Sequence, residues 1–267
     1  MYMRIAPVNQ NINFHNNRKN SSNTAPSFTA WEAVSRIKVK KAVQEPQVYH
    51  FTTLFRNPHF WADFSSHIQN KFPNGAKIYN YAASDGSESY SLIMRLIEDI
   101  GDDNAKKYFP IMSNDIGKAA VQRMKKRKIE VSKNEEESIF INLKKTNLTQ
   151  YFDFIGKDPI YGTNDILKVK KSLYSKIIPK QANIMKDLED SSMFQDPCVL
   201  LFRNAWYFFS KEGKNKLAEK LFDRLKPGSS LVIGGVDRPH IPPILIEKGF
   251  RPVKHYGGDQ LYIFERP

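Results

Sequence analysis

From residue 77 to residue 235 the chain alternates short β-prone runs with helical segments, and this alternation restricts the fold more than any other feature. KIYNYAA (77–83), YFPIMS (108–113), CVLLFR (198–203) and SLVIGG (230–235) read as strands. YSLIMRLIEDI (90–100), residues 117–127 and SKEGKNKLAEKLFDRL (210–225) read as helices, the last stopped by Pro227–Gly228. The unbroken apolar run CVLLF is the mark of a strand covered on both faces. Strands alternating with helices imply an α/β fold with a parallel sheet covered on both faces. The final FRPVKHYGGDQLYIFERP has two β-rich arms around Gly257–Gly258, which suits an antiparallel hairpin.

The flanks read differently. Residues 1–30, rich in Asn, Ser and Pro, read as a disordered tail. Residues 31–75 read as a short helical segment before the main domain, which spans 76–267. Within that domain 137–180 is ambiguous and is treated as an insertion. The single cysteine, Cys198, cannot pair within the chain, which excludes a disulfide scaffold. No apolar run nears the roughly 20 residues a membrane span needs, and the N-terminus lacks a signal-peptide core. A cytoplasmic location without membrane insertion is expected. With 41 Lys and Arg against 28 Asp and Glu, the net charge of +13 favours acidic partners. Its two densest clusters are Lys118–Lys128 and Lys168–Lys180.

Ligands of open α/β sheets sit beyond the carboxyl ends of the strands, and three strand ends carry polar candidates. Ala83-Ser84-Asp85-Gly86-Ser87-Glu88 is a glycine turn leading into a helix. Its D-x-x-E also fits a capping pattern. Asp115 can accept the hydroxyls of a ribose, or it can cap the next helix. Arg203–Asn204 interrupts an apolar run, so it lies at the strand mouth or closes a structural ion pair. Taken together they describe a nucleotide-like pocket without a phosphate-binding lysine. That suits an adenosyl ligand without polyphosphate, S-adenosylmethionine being the candidate. No metal is expected.

The same residues carry a family resemblance. Thr52-Thr53-Leu54-Phe55-Arg56, Ala82–Ser91, Ser113–Ile116, Asn183-Ile184-Met185, Leu201–Phe209 and Leu225–Gly234 are similar, in order, to motifs of the CheR-type methyltransferases. These transfer methyl groups from S-adenosylmethionine to glutamates of chemotaxis receptors. The resemblance implies a Rossmann-like class I methyltransferase fold, with a mostly parallel seven-stranded sheet ending in an antiparallel hairpin. It implies that Glu88 meets the methionine end of the cofactor and Asp115 its ribose. Ala83, Gly86, Asn183, Ile184, Arg203 and Asn204 line the rest, and Thr52 and Arg56 come from a segment that closes over the pocket. An acidic protein, chemoreceptor-like, is the implied partner.

This chain departs from the family on the acceptor side. Phe208 replaces the family tyrosine, so the neighbouring Tyr207 is named with Arg56 as a catalytic candidate. Gly234-Gly235-Val236-Asp237 stands where G-x-S-E is common, and His50 where some members have Asn. A glutamate, with a reference pKa of about 4.3, is already a nucleophile at neutral pH and needs no general base. Arg56 would orient it with a two-pronged guanidinium. Two alternatives stay open: methylation of nucleic acid or a small molecule, and a non-catalytic cofactor-binding module.

Overall fold

The computed structural model describes residues 52–157, 164–253 and 262–267. The chain divides into two units, Met1–Ile37 and Lys38–Pro267, and every described residue belongs to the second. The expected tail, the helix over 31–45, His50 and the turn at Gly257–Gly258 lie outside the described residues.

Helix α1 (Phe60–Lys71) opens the fold, burying Phe60, Trp61, Phe64 and Ile68 at helical spacing. Then β1 (Lys77–Tyr81) leads to α2 (Ser87–Ala105), and β2 (Ile111–Asp115) to α3 (Lys118–Lys126). The small elements β3 (Lys128–Val131), α4 (Glu136–Asn142), β4 (Phe152–Lys157), β5 (Asp165–Val169) and α5 (Lys171–Tyr174) follow. After β6 (Ile177–Gln181) come α6 (Ile184–Asp187), β7 (Cys198–Phe202), α7 (Lys211–Arg224), β8 (Ser230–Val232) and α8 (Ile241–Glu247). The chain closes on β9 (Arg251–Pro252) and β10 (Ile263–Glu265), paired antiparallel.

The main sheet has seven strands in the order β6-β2-β1-β7-β8-β10-β9. Its first five run parallel, and β10 pairs antiparallel with β8. Successive residues of β1 and β7 serve opposite faces. Ile78, Val199 and Leu201 join the aromatic cluster of α1 and α2. Tyr79, Leu200 and Phe202 join Trp206, Leu217 and Leu221 of the other cluster. Burial on both faces is why CVLLF carries no polar residue.

The segment 137–180 does not form one unit. β3, β5 and β4 make a separate three-stranded antiparallel sheet, whereas β6 belongs to the main sheet beside β2. Each β run here is short and interrupted by polar residues, so periodicity alone leaves its pairing undetermined.

Candidate functional site

Strand order locates the site. From β1 the chain moves to β2 and β6 on one side, then crosses to β7 and β8 on the other. The reversal falls between β1 and β7, and such a switch point leaves a crevice beyond the carboxyl ends of its strands. Residues 82–88 follow β1, and Arg203–Asn204 follow β7.

The loop after β1 is drawn tightly together. Ser87 donates to Asp85 Oδ1 through both its backbone N (2.9 Å) and its hydroxyl (2.7 Å). Gly86, at φ +94°, is the N-cap of α2, and a β-carbon there would press on the Tyr90 ring at 3.0 Å. The capping reading of D-x-x-E is therefore not what the structure shows. Asp85 serves the turn, and Glu88 faces Arg203.

Arg203 is the hub of the contacts at this end of the sheet. Its Nη1 donates to Glu88 Oε2 at 2.8 Å and its Nη2 to Asn57 Oδ1 at 3.1 Å. The guanidinium lies over the rings of Phe60 (4.4 Å) and Trp61 (5.1 Å). The side chain is wholly buried, so its charge is tolerated through Glu88, Asn57 and the two ring faces.

Arg56 enters the same field from the segment before α1. Burial holds its guanidinium below its ordinary value; the Glu88 carboxylate opposes that and the Arg203 charge adds to it. Tyr207 and Glu135 also act on it. Tyr207 sits in a short 3-10 turn (Trp206–Phe208), 55% exposed, its ring 4.1 Å from that of Phe208. Thr52 is half-buried at the start of the segment. Leu54 N donates to Glu135 Oε2 and Phe55 N to Ser91 Oγ, both at 2.8 Å.

Asp115 ends β2. Its Oδ2 accepts from Ser84 N (2.8 Å) and its Oδ1 from Gly117 N (2.7 Å). It thus ties the loop after β1 to the start of α3, while Gly117, not Asp115, is the N-cap. Ala182 N donates to Asp115 O, which brings Asn183 and Ile184 to the same sheet end. Asn183 Oδ1 caps α6 through Met185 N (2.9 Å). Ile184 packs in the cluster of Tyr81 and Trp206, and Ala83 packs on Val121 and Met124.

Asn204 is held from below. Asp237 accepts from the backbone N of Gly234 (2.9 Å), Asn204 and Trp206 (3.3 Å). Burial raises its pKa; those three hydrogen bonds and the Arg203 charge oppose the rise. A β-carbon on Gly234 would overlap the Asn204 side chain, so only glycine allows this approach.

Sequence reasoning missed two supporting residues. Asn57 holds Arg203 from a left-handed conformation (φ 61°) that no motif announces. Ser132-x-x-Glu135 is a capping-box signature and is one here. Its second role, accepting from Leu54 81 residues away, is a tertiary fact.

Residues 50–240 match the family CheR methyltransferase, SAM binding domain. No curated protein matches the chain. Among solved structures it is similar to an O-methyltransferase family protein from Burkholderia thailandensis, at 10% identity and TM-score 0.42, covering 79% of this chain and 57% of that one. A glycopeptide N-methyltransferase complexed with S-adenosyl-L-methionine matches at 10% identity and TM-score 0.35, covering 72% and 59%. The magnesium protoporphyrin IX methyltransferase of Synechocystis PCC 6803 matches at 10% and 0.37, covering 89% and 88%. The chain thus spans less than two thirds of the first two.

The cofactor of that family is S-adenosylmethionine, and the residues present fit it. Ser84 Oγ, Asn114 Oδ1 and Asn204 Nδ2 are buried without a hydrogen-bond partner, and all three stand at or just beyond the carboxyl ends of β1, β2 and β7. Unpartnered buried polar atoms are costly, and clustered at a switch point they match a polar ligand. Asp115 and Glu88 add the acidic groups that a ribose and an ammonium call for.

Proposed function

The chain belongs to the CheR methyltransferase family, SAM binding domain, and from that premise we propose that it methylates glutamate carboxylates of an acidic, chemoreceptor-like protein. The observation that carries this reading is the placement of Arg56. Its half-buried guanidinium, on the segment that precedes the fold, lies within electrostatic reach of Glu88, Arg203 and Tyr207.

When bound, S-adenosylmethionine supplies a methyl group on a positively charged sulfur. The residues of the chain have three tasks. Glu88 and Asp115 hold its cationic and ribose ends. Arg56 grips the acceptor carboxylate and aims it. Glu88 shares the charge of Arg56, so the guanidinium orients the acceptor without neutralising it. Tyr207 stands where a phenol can bond the same carboxylate, one residue before the position that Phe208 leaves without a hydroxyl. The buried rings of Phe60 and Trp61 back the Arg203 side of the site and limit the water that reaches it.

The test is transfer from a radiolabelled methyl donor into lysate protein, followed by mild alkali. Methyl esters release methanol, and N-methyl groups do not. Arg56→Ala should lower ester formation by roughly a hundredfold, as loss of a positioning group does. Alkali-stable label would point to a nitrogen acceptor, and absence of label would point to a binding module.

A further inference from the structure

Two loops beyond the carboxyl ends of β7 and β8 are stitched together. Asp237, buried after β8, accepts from the backbone N of Asn204 and of Trp206, both after β7. In the other direction Val236 N donates to Asn204 Oδ1 at 3.2 Å. Trp206 is wholly buried, and its Nε1 donates to Phe202 O at 3.0 Å. The 3-10 turn closes around it, with Phe208 N on Ala205 O and Phe209 N on Trp206 O. Phe209 packs against Phe202, the rings nearly edge-on. Trp206 and Phe209 thus fill the inner side of the turn, and Tyr207 and Phe208 are left outside. Both are exposed, and so is Val236 on the facing loop.

Apolar groups exposed on a pinned turn differ from those on a loose one. The Tyr207 and Phe208 rings rest on each other at 4.1 Å, so little side-chain freedom remains to be lost when something binds them. Exposed apolar groups gathered beside a polar site mark a contact surface. Phe208 brings no hydroxyl where the family resemblance implies one, so the second ring adds apolar area and no polar contact. A cation stands near. Arg56 acts on the Tyr207 phenol, which puts a guanidinium within electrostatic reach of the rim.

We propose that Tyr207, Phe208 and Val236 select the acceptor by its neighbour: they receive an apolar side chain adjoining the methylated glutamate, whose carboxylate goes to Arg56. The preferred substrate is then a peptide segment in which a glutamate is flanked by aliphatic or aromatic residues, not one that is acidic throughout. Exposed rings also receive nucleobases, but these two cover one another and leave no slot between them for a third ring. The proposal deepens the protein-carboxylate reading. It rests on that reading for the glutamate and not for the apolar contact.

Binding tests it without catalysis. Fluorescence anisotropy would follow the full chain with short labelled peptides, identical but for the residues flanking a central glutamate: leucines in one, serines in the other. The leucine peptide should bind roughly tenfold more tightly, the scale of burying one apolar side chain. F208S/V236S, which changes two exposed positions, should cut that preference to about twofold or less. Phe208→Leu, which stays apolar, should keep most of it. Ile246→Ser removes an exposed apolar group from the last turn of α8 and should leave it unchanged. Equal affinities for the two peptides, or a preference that survives F208S/V236S, would overturn the proposal. So would an equal loss in I246S, since apolar surface anywhere would then suffice. Tighter binding of a labelled single-stranded DNA, lost in F208S/V236S alone, would overturn it in favour of a base. A glutamine in place of the central glutamate separates the two readings. If the leucine preference and the affinity both persist, the rim stands and the carboxylate reading falls.

Discussion

At the scale of single residues, Arg203 is a wholly buried cation held by Glu88 and Asn57. Removing one partner of a buried pair leaves the other uncompensated, at about 3–5 kcal/mol. Arg203→Leu should therefore lose about that much in urea unfolding, and Arg203→Leu combined with Glu88→Leu should recover part of it. If the double variant loses the sum of the two singles, the pair is not coupled as its geometry demands. Asp85 gives a pH signature. Although part of it meets solvent, burial pushes its carboxyl up to about 6, and the Ser87 hydrogen bonds and Arg123 oppose the rise. A carboxyl raised on folding contributes stability that is complete below its unfolded value near 4. That contribution is lost as pH climbs through 6. Asp85→Asn, which keeps the oxygen that accepts from Ser87, should flatten the fall in thermal midpoint between pH 4 and 6. An unchanged slope would assign that fall to other groups.

At the scale of elements, the segment over 52–56 is fastened at two points. Leu54 is held by Glu135, and Phe55 by Ser91. Glu135 also accepts from Ser132 N at 2.9 Å, so one buried carboxylate ties the segment to the turn after β3. Glu135→Ala strands both N–H groups, at about 1–3 kcal/mol each if they stay buried. Hydrogen exchange should quicken at Leu54 and Ser132 while the amides of β1 and β7 stay protected. Uniform quickening would mean global destabilisation rather than release of the segment. The same elements show what a sequence reveals. β7 was legible because burial on both faces forces CVLLF to be apolar throughout. α1 was legible because Phe60, Trp61, Phe64 and Ile68 recur at helical spacing. The run over 108–113 was placed early, since Tyr108 belongs to a 3-10 turn and the strand is Ile111–Asp115. Tyr108, Ile111 and Met112 are all apolar, and periodicity does not separate the turn from the strand. Arg203 and Asp115 stand out in the sequence because polar residues at strand ends need a reason, and the fold brings Arg203 to Glu88. The Leu54–Glu135 bond does not, because residues 81 apart meet only through the fold.

At the scale of the molecule, the crevice divides the sheet where the chain changes direction. β1, β2 and β6 stand on one side of it and β7 and β8 on the other, with unpartnered polar atoms of Ser84 and Asn114 on the first side and of Asn204 on the second. A ligand that bridges the two sides stabilises the folded state by mass action, whatever it does chemically. S-adenosylmethionine at about a hundred times its Kd contributes about 2.7 kcal/mol. For a domain of this size that raises the thermal midpoint by roughly 5–10 °C. Asp115 accepts from Ser84 and Gly117, so Asp115→Ala lowers the midpoint of the ligand-free chain too. The informative quantity is each protein's own shift on adding the same cofactor concentration. A tenfold weaker affinity leaves about 1.4 kcal/mol, so the variant should show about half the wild-type shift. Equal shifts would mean that Asp115 shapes the loop after β1 without touching the ligand. The ribose would then have to be held by the unpartnered Ser84 and Asn114 instead.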